Sequence, residues 1–164
     1  MVIIALATKS DISQVSDIEK EAFSPPWTHD ALLDELCKED SYFIVARENT
    51  TEPPLAGLSL AGLSPCVRVL GYALIRQVGD DWELLKIAVE KTARGSGIGD
   101  LLMKNVLDYV EDNFLKPIFL EVRVGNVAAT RLYEKYGFKS VRIRKDYYND
   151  PYEDAIIMVK GDMW

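Results

Sequence analysis

The chain has 164 residues, of which 48% are hydrophobic and 27% charged; this balance is typical of a folded globular protein, and we predict a single domain over residues 1–164. Its longest apolar runs fall far short of the roughly 20 residues that cross a bilayer, and its opening residues lack the basic segment of a secretory leader, so we expect a cytoplasmic protein without membrane association. The net charge of −7 argues against nucleic acid as a direct ligand, because phosphate-binding surfaces are basic.

The chain opens with a strand pattern followed by a helix pattern. Val2 to Ala7 predicts a buried strand. Asp11 and Gln14 have the spacing of a capping box and indicate where the helix starts. The predicted apolar face of this helix consists of Ile12, Val15, Ile18 and Ala22.

A second helix and a strand follow a chain break at Pro25-Pro26. Thr28 is the predicted cap of this helix, and Trp27 and Leu32 are spaced as a hydrophobic staple. The buried side is predicted to continue through Leu33, Leu36 and Cys37. Tyr42 to Arg47 then predicts a strand.

The next part of the chain predicts an antiparallel pair of strands preceded by an irregular segment. Asn49 to Pro65 is rich in proline and glycine, and we expect a long hairpin loop there. Val69 to Arg76 and Trp82 to Val89 are apolar runs separated by a Gly-Asp-Asp turn. They are predicted to pair at the centre of the sheet.

A glycine-rich run, Arg94-Gly95-Ser96-Gly97-Ile98-Gly99, joins the second of these strands to an amphipathic helix pattern from Leu101 to Phe114. At such a junction the first helical N–H groups have no partner, and glycines let phosphates approach the backbone. A dinucleotide fingerprint is excluded because Asp100 or Leu102 stands where its third glycine belongs, and a Walker A loop is excluded because no lysine follows Gly99. A diphosphate site and an ordinary helix-start turn both remain open at this point.

The last third of the chain continues the alternation of strands and helices. Ile118 to Val124 predicts a strand, and Asn126 and Gly137 have the residue types that begin and end a helix. Val141 to Arg144 and Ala155 to Lys160 predict the final strands. The whole pattern predicts a mixed α/β sheet with helices on both faces.

Glu121 interrupts an apolar strand and is predicted to lie on the opposite face from Leu120 and Val122. Periodicity alone leaves open whether it is a structural charge, for example paired with Arg123, or a functional carboxylate.

The chain has too few histidines and suitably spaced cysteines to favour a metal site or a nucleophilic triad. His29 is the sole histidine, and Cys37 and Cys66 fit no metal or redox spacing. We expect no metal ion, and we expect both thiols to be reduced and structural.

Two segments together resemble the GCN5-related N-acetyltransferase (GNAT) superfamily. The Arg-x-x-Gly-x-Gly run from Arg94 resembles its acetyl-CoA pyrophosphate loop, and Leu120 to Phe138 resembles its second half in order and spacing. With Tyr147-Tyr148 and the run Glu153 to Met158, the chain is most similar to the bacterial ribosomal-protein-alanine N-acetyltransferases. The resemblance implies the GNAT fold, a mostly antiparallel sheet flanked by helices, and acetyl-CoA as cosubstrate.

The resemblance also implies which residues hold acetyl-CoA. Ile87, Ala88 and Val89 would offer backbone groups to the pantetheine arm and the thioester carbonyl. Residues 94–100 would hold the pyrophosphate through N–H groups and the helix dipole. Asn126 would cap a helix and bond the pantetheine. Asp100 is unusual beside phosphates, and we expect its side chain to point to solvent.

For catalysis, the resemblance implies that Glu121 is the general base and that Tyr133 protonates the departing thiolate, with no covalent enzyme intermediate. A core tyrosine is the alternative for Tyr133. Trp27, Tyr147 and Tyr148 would form the walls of the acceptor groove, although aromatic residues at such positions also occur in cores.

We therefore predict an N-terminal acetyltransferase that acts on the alanine amine of a ribosomal protein. An α-amine, with a pKa of about 8, is easier to neutralise than lysine at about 10.4. One alternative keeps the chemistry but uses a lysine side chain or a small-molecule amine. The other is a non-catalytic regulatory domain that binds acyl-CoA.

Overall fold

The computed structural model describes residues 1–50, 66–113 and 117–161. Each helix and strand predicted from the sequence has a counterpart in these ranges, and the last two strands are longer than their apolar patterns. The elements in chain order are β1 (Val2–Leu6), α1 (Ile12–Ala22), α2 (His29–Leu36), β2 (Ser41–Thr50), β3 (Cys66–Val78), β4 (Asp81–Val89), α3 (Ile98–Asn113), β5 (Ile118–Arg123), α4 (Val127–Lys135), β6 (Lys139–Asn149) and β7 (Tyr152–Lys160).

The strands form one sheet in the order β1-β2-β3-β4-β5-β7-β6. Neighbouring strands are antiparallel except β4 and β5, which are parallel. A parallel pair needs a crossover connection, and α3 lies in the connection between these two strands. The prediction of a mixed, mostly antiparallel sheet is confirmed.

Alternate residues of β3 belong to two cores on opposite faces of the sheet. Tyr72 and Leu74 pack in the core that α1 and α2 cover, whereas Ala73 and Ile75 pack in the core that α3 covers. Each buried aliphatic side chain of these cores contributes about 1.5–3 kcal/mol to folding. The helices therefore lie on both faces, as predicted.

β1 is an edge strand rather than the predicted buried one. Within the part of the chain that the structure describes, it pairs with β2 alone, and Ile3 and Leu6 are 41% and 62% exposed. An apolar run does not reveal the position of a strand in the sheet, because that position is set by the partners of the strand.

The start of α1 also differs from the prediction. Asp11 accepts hydrogen bonds from the backbone N–H and the hydroxyl of Thr8, both at 2.7 Å. Gln14, predicted to complete the capping box, instead donates to the carbonyl of Val67 at 3.0 Å and accepts from the N–H of Val69 at 2.9 Å. It therefore ties α1 to β3.

α2 begins as predicted, with the Thr28 hydroxyl accepting the N–H of Ala31 at 3.1 Å. Leu32 is fully buried, and Trp27 packs in the same core. Cys37 is exposed, contrary to the prediction. It follows the last helical residue, Leu36, so it no longer continues the buried face.

β2 and β3 are antiparallel neighbours, and the first two residues of the loop predicted over Asn49 to Pro65 belong to β2 instead. Asn49 and Thr50 still pair with Val67 and Cys66. Residues 51–65 lie outside the described residues.

Within the described ranges, no helix has both the length and the apolar character needed to span a bilayer.

Candidate functional site

The strands β4 and β5 part at their carboxyl ends. β4 continues to Val89 and β5 to Arg123. In the described ranges, the ladder between them joins Trp82–Leu84 of β4 to Ile118–Leu120 of β5. Among the described residues the ladder between them ends there, so residues 87–89 of β4 have no strand partner on this side. An extended ligand with amide groups can bond such an edge as an added strand would.

The glycine-rich turn lies at the same end of β4. Gly95 and Gly97 have φ angles of +78° and +86°, which residues with a Cβ rarely adopt. The Gly97 carbonyl accepts the N–H of Leu101 at 3.0 Å and so starts α3. The N–H groups of residues 98–100 precede the first intrahelical donor, and with the helix dipole they form a place for an anion.

The strand edge and the glycine turn line one cavity of about 460 Å³, a size typical of small-molecule sites. The cofactor residues predicted from the sequence line it with one exception: they are Ile87, Ala88, Val89, Arg94, Gly95, Gly97, Ile98, Gly99, Asp100 and Asn126. The exception is Ser96, whose hydroxyl donates to the Ala93 carbonyl at 2.6 Å and stabilises the turn.

Sequence reasoning missed part of the cavity wall. The missed residues are Glu21, Ala22, Phe23, Ala93, Ala128, Ala129 and Leu132. Those at the end of α1 and on α4 reach the cavity through tertiary packing, which no local pattern encodes. Ala93 directly precedes the glycine run, and this adjacency was the one available signal. Ala22, predicted for the apolar face of α1, is exposed at the cavity.

Two side chains of the glycine turn bind the protein itself. The Arg94 Nε donates to the carbonyl of Val89 at 3.1 Å and fixes the turn to the strand end. Asp100 accepts hydrogen bonds from Lys135 and from the hydroxyl of Tyr136. The bond from Lys135 holds the pKa of Asp100 below its usual value. The Asp100 carboxylate is thus paired with Lys135 beside the cavity, whereas from the sequence we expected it to point to solvent.

Asn126 begins α4 as predicted, because its Oδ1 accepts the N–H of Ala129 at 3.2 Å. Gly137 follows the helix with a φ of +87° and confirms the predicted end. The cap uses the side-chain oxygen of Asn126, a residue that also lines the cavity.

Glu121 lies on the face of β5 opposite Leu120 and Val122, as predicted, with 24% of its side chain exposed. Its Oε1 accepts a hydrogen bond from Arg144 at 2.6 Å. A hydrogen bond from Tyr147 to Glu121 raises the pKa of that tyrosine. The ion-pair partner is therefore Arg144 and not Arg123.

Tyr133 is 6% exposed and packs against Phe138, with ring centroids 5.9 Å apart. Burial, with a smaller contribution from Tyr148, raises the pKa of Tyr133. Burial and then the charge of Glu121 raise the pKa of Tyr148 to about 12. Tyr148 therefore interacts electrostatically with both predicted catalytic groups. Among the described residues, the Tyr133 hydroxyl has no hydrogen-bond partner.

The predicted acceptor residues lie in two places. The rings of Tyr147 and Tyr148 stand perpendicular, 5.0 Å apart, beside the Glu121 carboxylate. Trp27 lines a separate cavity of about 420 Å³ next to α2. Arg123 connects the two regions, since its guanidinium donates to the Ser24 carbonyl at 2.8 Å and lies 4.1 Å from the ring centroid of Tyr148.

The turn conformation gives a direct test of the cofactor cavity. Gly97→Ala is expected to raise the KM for acetyl-CoA about 10-fold, a loss of about 1.4 kcal/mol, because the new methyl group strains the turn and occupies space beside the helix amides. The matched control is Gly79→Ala in the β3–β4 turn. Both glycines have a positive φ and no atom within 4 Å of an added Cβ. Steady-state kinetics with equal KM increases in both variants would contradict the assignment.

The Acetyltransferase (GNAT) family model matches residues 12–138. The [ribosomal protein bS18]-alanine N-acetyltransferase of Haemophilus influenzae is 30% identical over 161 residues, which are 96% of this chain and 97% of that protein. The N-alpha-acetyltransferase RimI of Mycobacterium tuberculosis is 30% identical over 159 residues, 96% of this chain and 90% of that protein. The crystal structure of the ribosomal-protein-S18-alanine N-acetyltransferase from Escherichia coli has a TM-score of 0.76 and 27% identity and covers 100% of this chain and 99% of its own.

Proposed function

The chain belongs to the GNAT family of acetyltransferases, and from that premise we propose that it transfers the acetyl group of acetyl-CoA to the N-terminal alanine of a ribosomal protein, in the cytoplasm and as a single domain over residues 1–164. The observation that carries this proposal is the cavity between the parted strands. Among the described residues, it joins the part of β4 beyond its ladder with β5 to the N–H groups that start α3. Glu121 lies on β5, the strand that parts from β4, and Tyr133 follows Leu132 of the cavity wall on α4.

The chemistry of the cavity fits the parts of acetyl-CoA. The N–H groups of residues 98–100 would hold its diphosphate, because they lie at the positive end of α3, ahead of the first N–H that bonds within the helix. The edge of β4 at residues 87–89 and the amide of Asn126 would hold its pantetheine arm. Acetyl-CoA supplies the acetyl thioester, an activated acyl group.

The proton transfers are assigned to two side chains. Glu121 accepts a proton from the ammonium of the acceptor, directly or through water, and the neutral amine then attacks the thioester carbonyl. A C–N bond forms as the C–S bond breaks. Tyr133 gives its proton to the departing thiolate, and the proton that the new amide nitrogen must lose then passes to the tyrosinate, directly or through water. The raised pKa of Tyr133 keeps the phenol protonated at neutral pH between turnovers.

The acceptor is inferred from two considerations. An α-amine has a pKa of about 8, against about 10.4 for lysine, so a carboxylate neutralises it more readily. Relatives about 30% identical over nearly the whole chain are named for alanine of ribosomal protein bS18. We assign Trp27, Tyr147 and Tyr148 to the walls of the acceptor groove.

The acceptor preference is tested with two synthetic peptides that differ only at the N-terminus and at one internal position. One has a free N-terminal alanine and no lysine; the other has a blocked N-terminus and one internal lysine. We expect kcat/KM to be at least about 10² higher for the first peptide, because holding a lysine neutral costs about two further pKa units. Mass spectrometry of the product locates the acetyl group. Transfer only to the lysine peptide would contradict the proposed acceptor.

A further inference from the structure

A fully buried carboxylate that the proposed mechanism does not use joins four parts of the chain. Glu19, on α1, has no exposed surface. It accepts a hydrogen bond from Lys86 Nζ of β4 at 2.7 Å, one from the backbone N–H of Trp27 at 2.8 Å, and one from the hydroxyl of Tyr72 on β3. We call this arrangement the Glu19–Lys86 anchor.

The cation of the anchor also contacts two aromatic rings. Lys86 Nζ lies 3.9 Å from the ring centroid of Phe23 and 5.1 Å from that of Trp27, and its side chain is 10% exposed. Both distances are within the range of cation–π attraction. One ion pair therefore fixes the Trp27 backbone and the rings of Phe23 and Trp27 together.

The anchored residues belong to segment 23–27, which connects α1 to α2 and borders the candidate site. Phe23 lines the acetyl-CoA cavity. The neighbouring Ser24 is held from the other side, by the Arg123 guanidinium at 2.8 Å and by its own hydroxyl bond to Asp150 at 3.2 Å. The segment thus starts at the cavity and passes the connection between β6 and β7 at Ser24, and Lys86 and Glu19 hold its two ends, Phe23 and Trp27.

Packing alone does not require such an anchor. A buried ion pair must overcome a large desolvation cost, and well-packed apolar residues of similar volume often stabilise a protein equally well or better. What the pair adds is a defined direction for the groups bonded to it. Here these groups are Phe23, which lines the cavity, and Trp27, which we assign to the acceptor groove.

We propose that Glu19 and Lys86 are positioning residues for the acceptor peptide. They hold Phe23 and Trp27 in the arrangement that receives the N-terminal residue of the acceptor. Phe23 also lines the acetyl-CoA cavity, but the groups assigned to the diphosphate and the pantetheine arm are residues 87–89, the N–H groups of residues 98–100 and Asn126. The inference rests on the proposed function and extends it to residues for which the sequence predicted no role at the site.

The test variant is Lys86→Met, which keeps an unbranched side chain but removes the charge. We expect KM for the alanine peptide to rise about 10-fold, the size of a lost buried cation–π contact with its hydrogen bond, while KM for acetyl-CoA and kcat stay within about twofold. Lys86→Arg is expected to restore part of the lost affinity, because the guanidinium keeps the charge and the aromatic contact.

The control and a second variant separate positioning from stability. Arg47–Asp11 is an ion pair of similar burial at the other end of α1, with side chains 19% and 5% exposed, so Arg47→Met should lower the unfolding midpoint without changing KM for the peptide. If Lys86→Met does not fold, the double variant Glu19→Gln, Lys86→Met has no unpaired buried charge and is measured in its place.

Two results would overturn the inference: an unchanged peptide KM in the folded variants, or equal increases in KM for both substrates. Failure of the proposed function looks different, since the wild-type protein would then not acetylate the alanine peptide at all. In that case the same KM comparison, made with whichever amine is acetylated, decides whether the anchor positions the acceptor.

Discussion

Replacing Glu121 by glutamine is expected to lower kcat for acetyl transfer by roughly 10²–10⁴-fold, the usual contribution of a general base. Glutamine has nearly the same shape and still accepts a hydrogen bond from Arg144, which lies 2.6 Å from the carboxylate, but it does not accept a proton from an ammonium. KM for acetyl-CoA should change little, because Glu121 is not among the residues that line its cavity. Steady-state kinetics with the alanine peptide measure both quantities.

A second ion pair in the molecule serves as a closely matched control. The side chains of Arg68 and Glu90 are 44% and 25% exposed and lie 2.7 Å apart, and those of Arg144 and Glu121 are 47% and 24% exposed and lie 2.6 Å apart. Glu90→Gln therefore loses a similar exposed interaction, which is worth about 0–1 kcal/mol, and kcat should not change. A Glu121→Gln enzyme as active as Glu90→Gln would show that Glu121 is only a structural charge.

Local features of the chain allowed the cofactor side of the site to be predicted. The positive φ angles of Gly95 and Gly97 and the cap formed by Asn126 depend on a few neighbouring residues. Such features are encoded by residue type at fixed spacing, so sequence patterns reveal them. The resemblance to the acetyltransferases then added chemical roles to positions that the pattern had already located.

Features that depend on strand order were not predictable in the same way. β7 lies between β5 and β6, so Glu121 meets Arg144 across an intervening strand, and sequence proximity suggested Arg123 instead. The spacing of a capping box fits both Thr8 with Asp11 and Asp11 with Gln14. Only the contact between Gln14 and β3 decides between the two. The Glu19–Lys86 anchor was missed for the same reason.

Replacing Tyr133 by phenylalanine is expected to lower kcat about 10²-fold, at the lower end of the range for general acid catalysis, because the departing thiolate loses its proton donor. The ring remains packed against Phe138, so the variant should fold. Since burial raises the pKa of Tyr133, the wild-type phenol stays protonated from pH 7 to 10. The wild-type kcat should therefore show no decrease in that range from tyrosinate formation.

The control for this variant is Tyr42→Phe. Tyr42 packs against the same core as Tyr133, and burial raises its pKa as well, but it has no assigned role in the reaction. Both variants should unfold within a few degrees of the wild type, since each loses one hydroxyl and retains its ring. If the catalytic assignment is right, only Tyr133→Phe loses turnover while it still binds acetyl-CoA. Equal turnover in the two variants would make Tyr133 a core residue and leave the thiolate to be protonated by water.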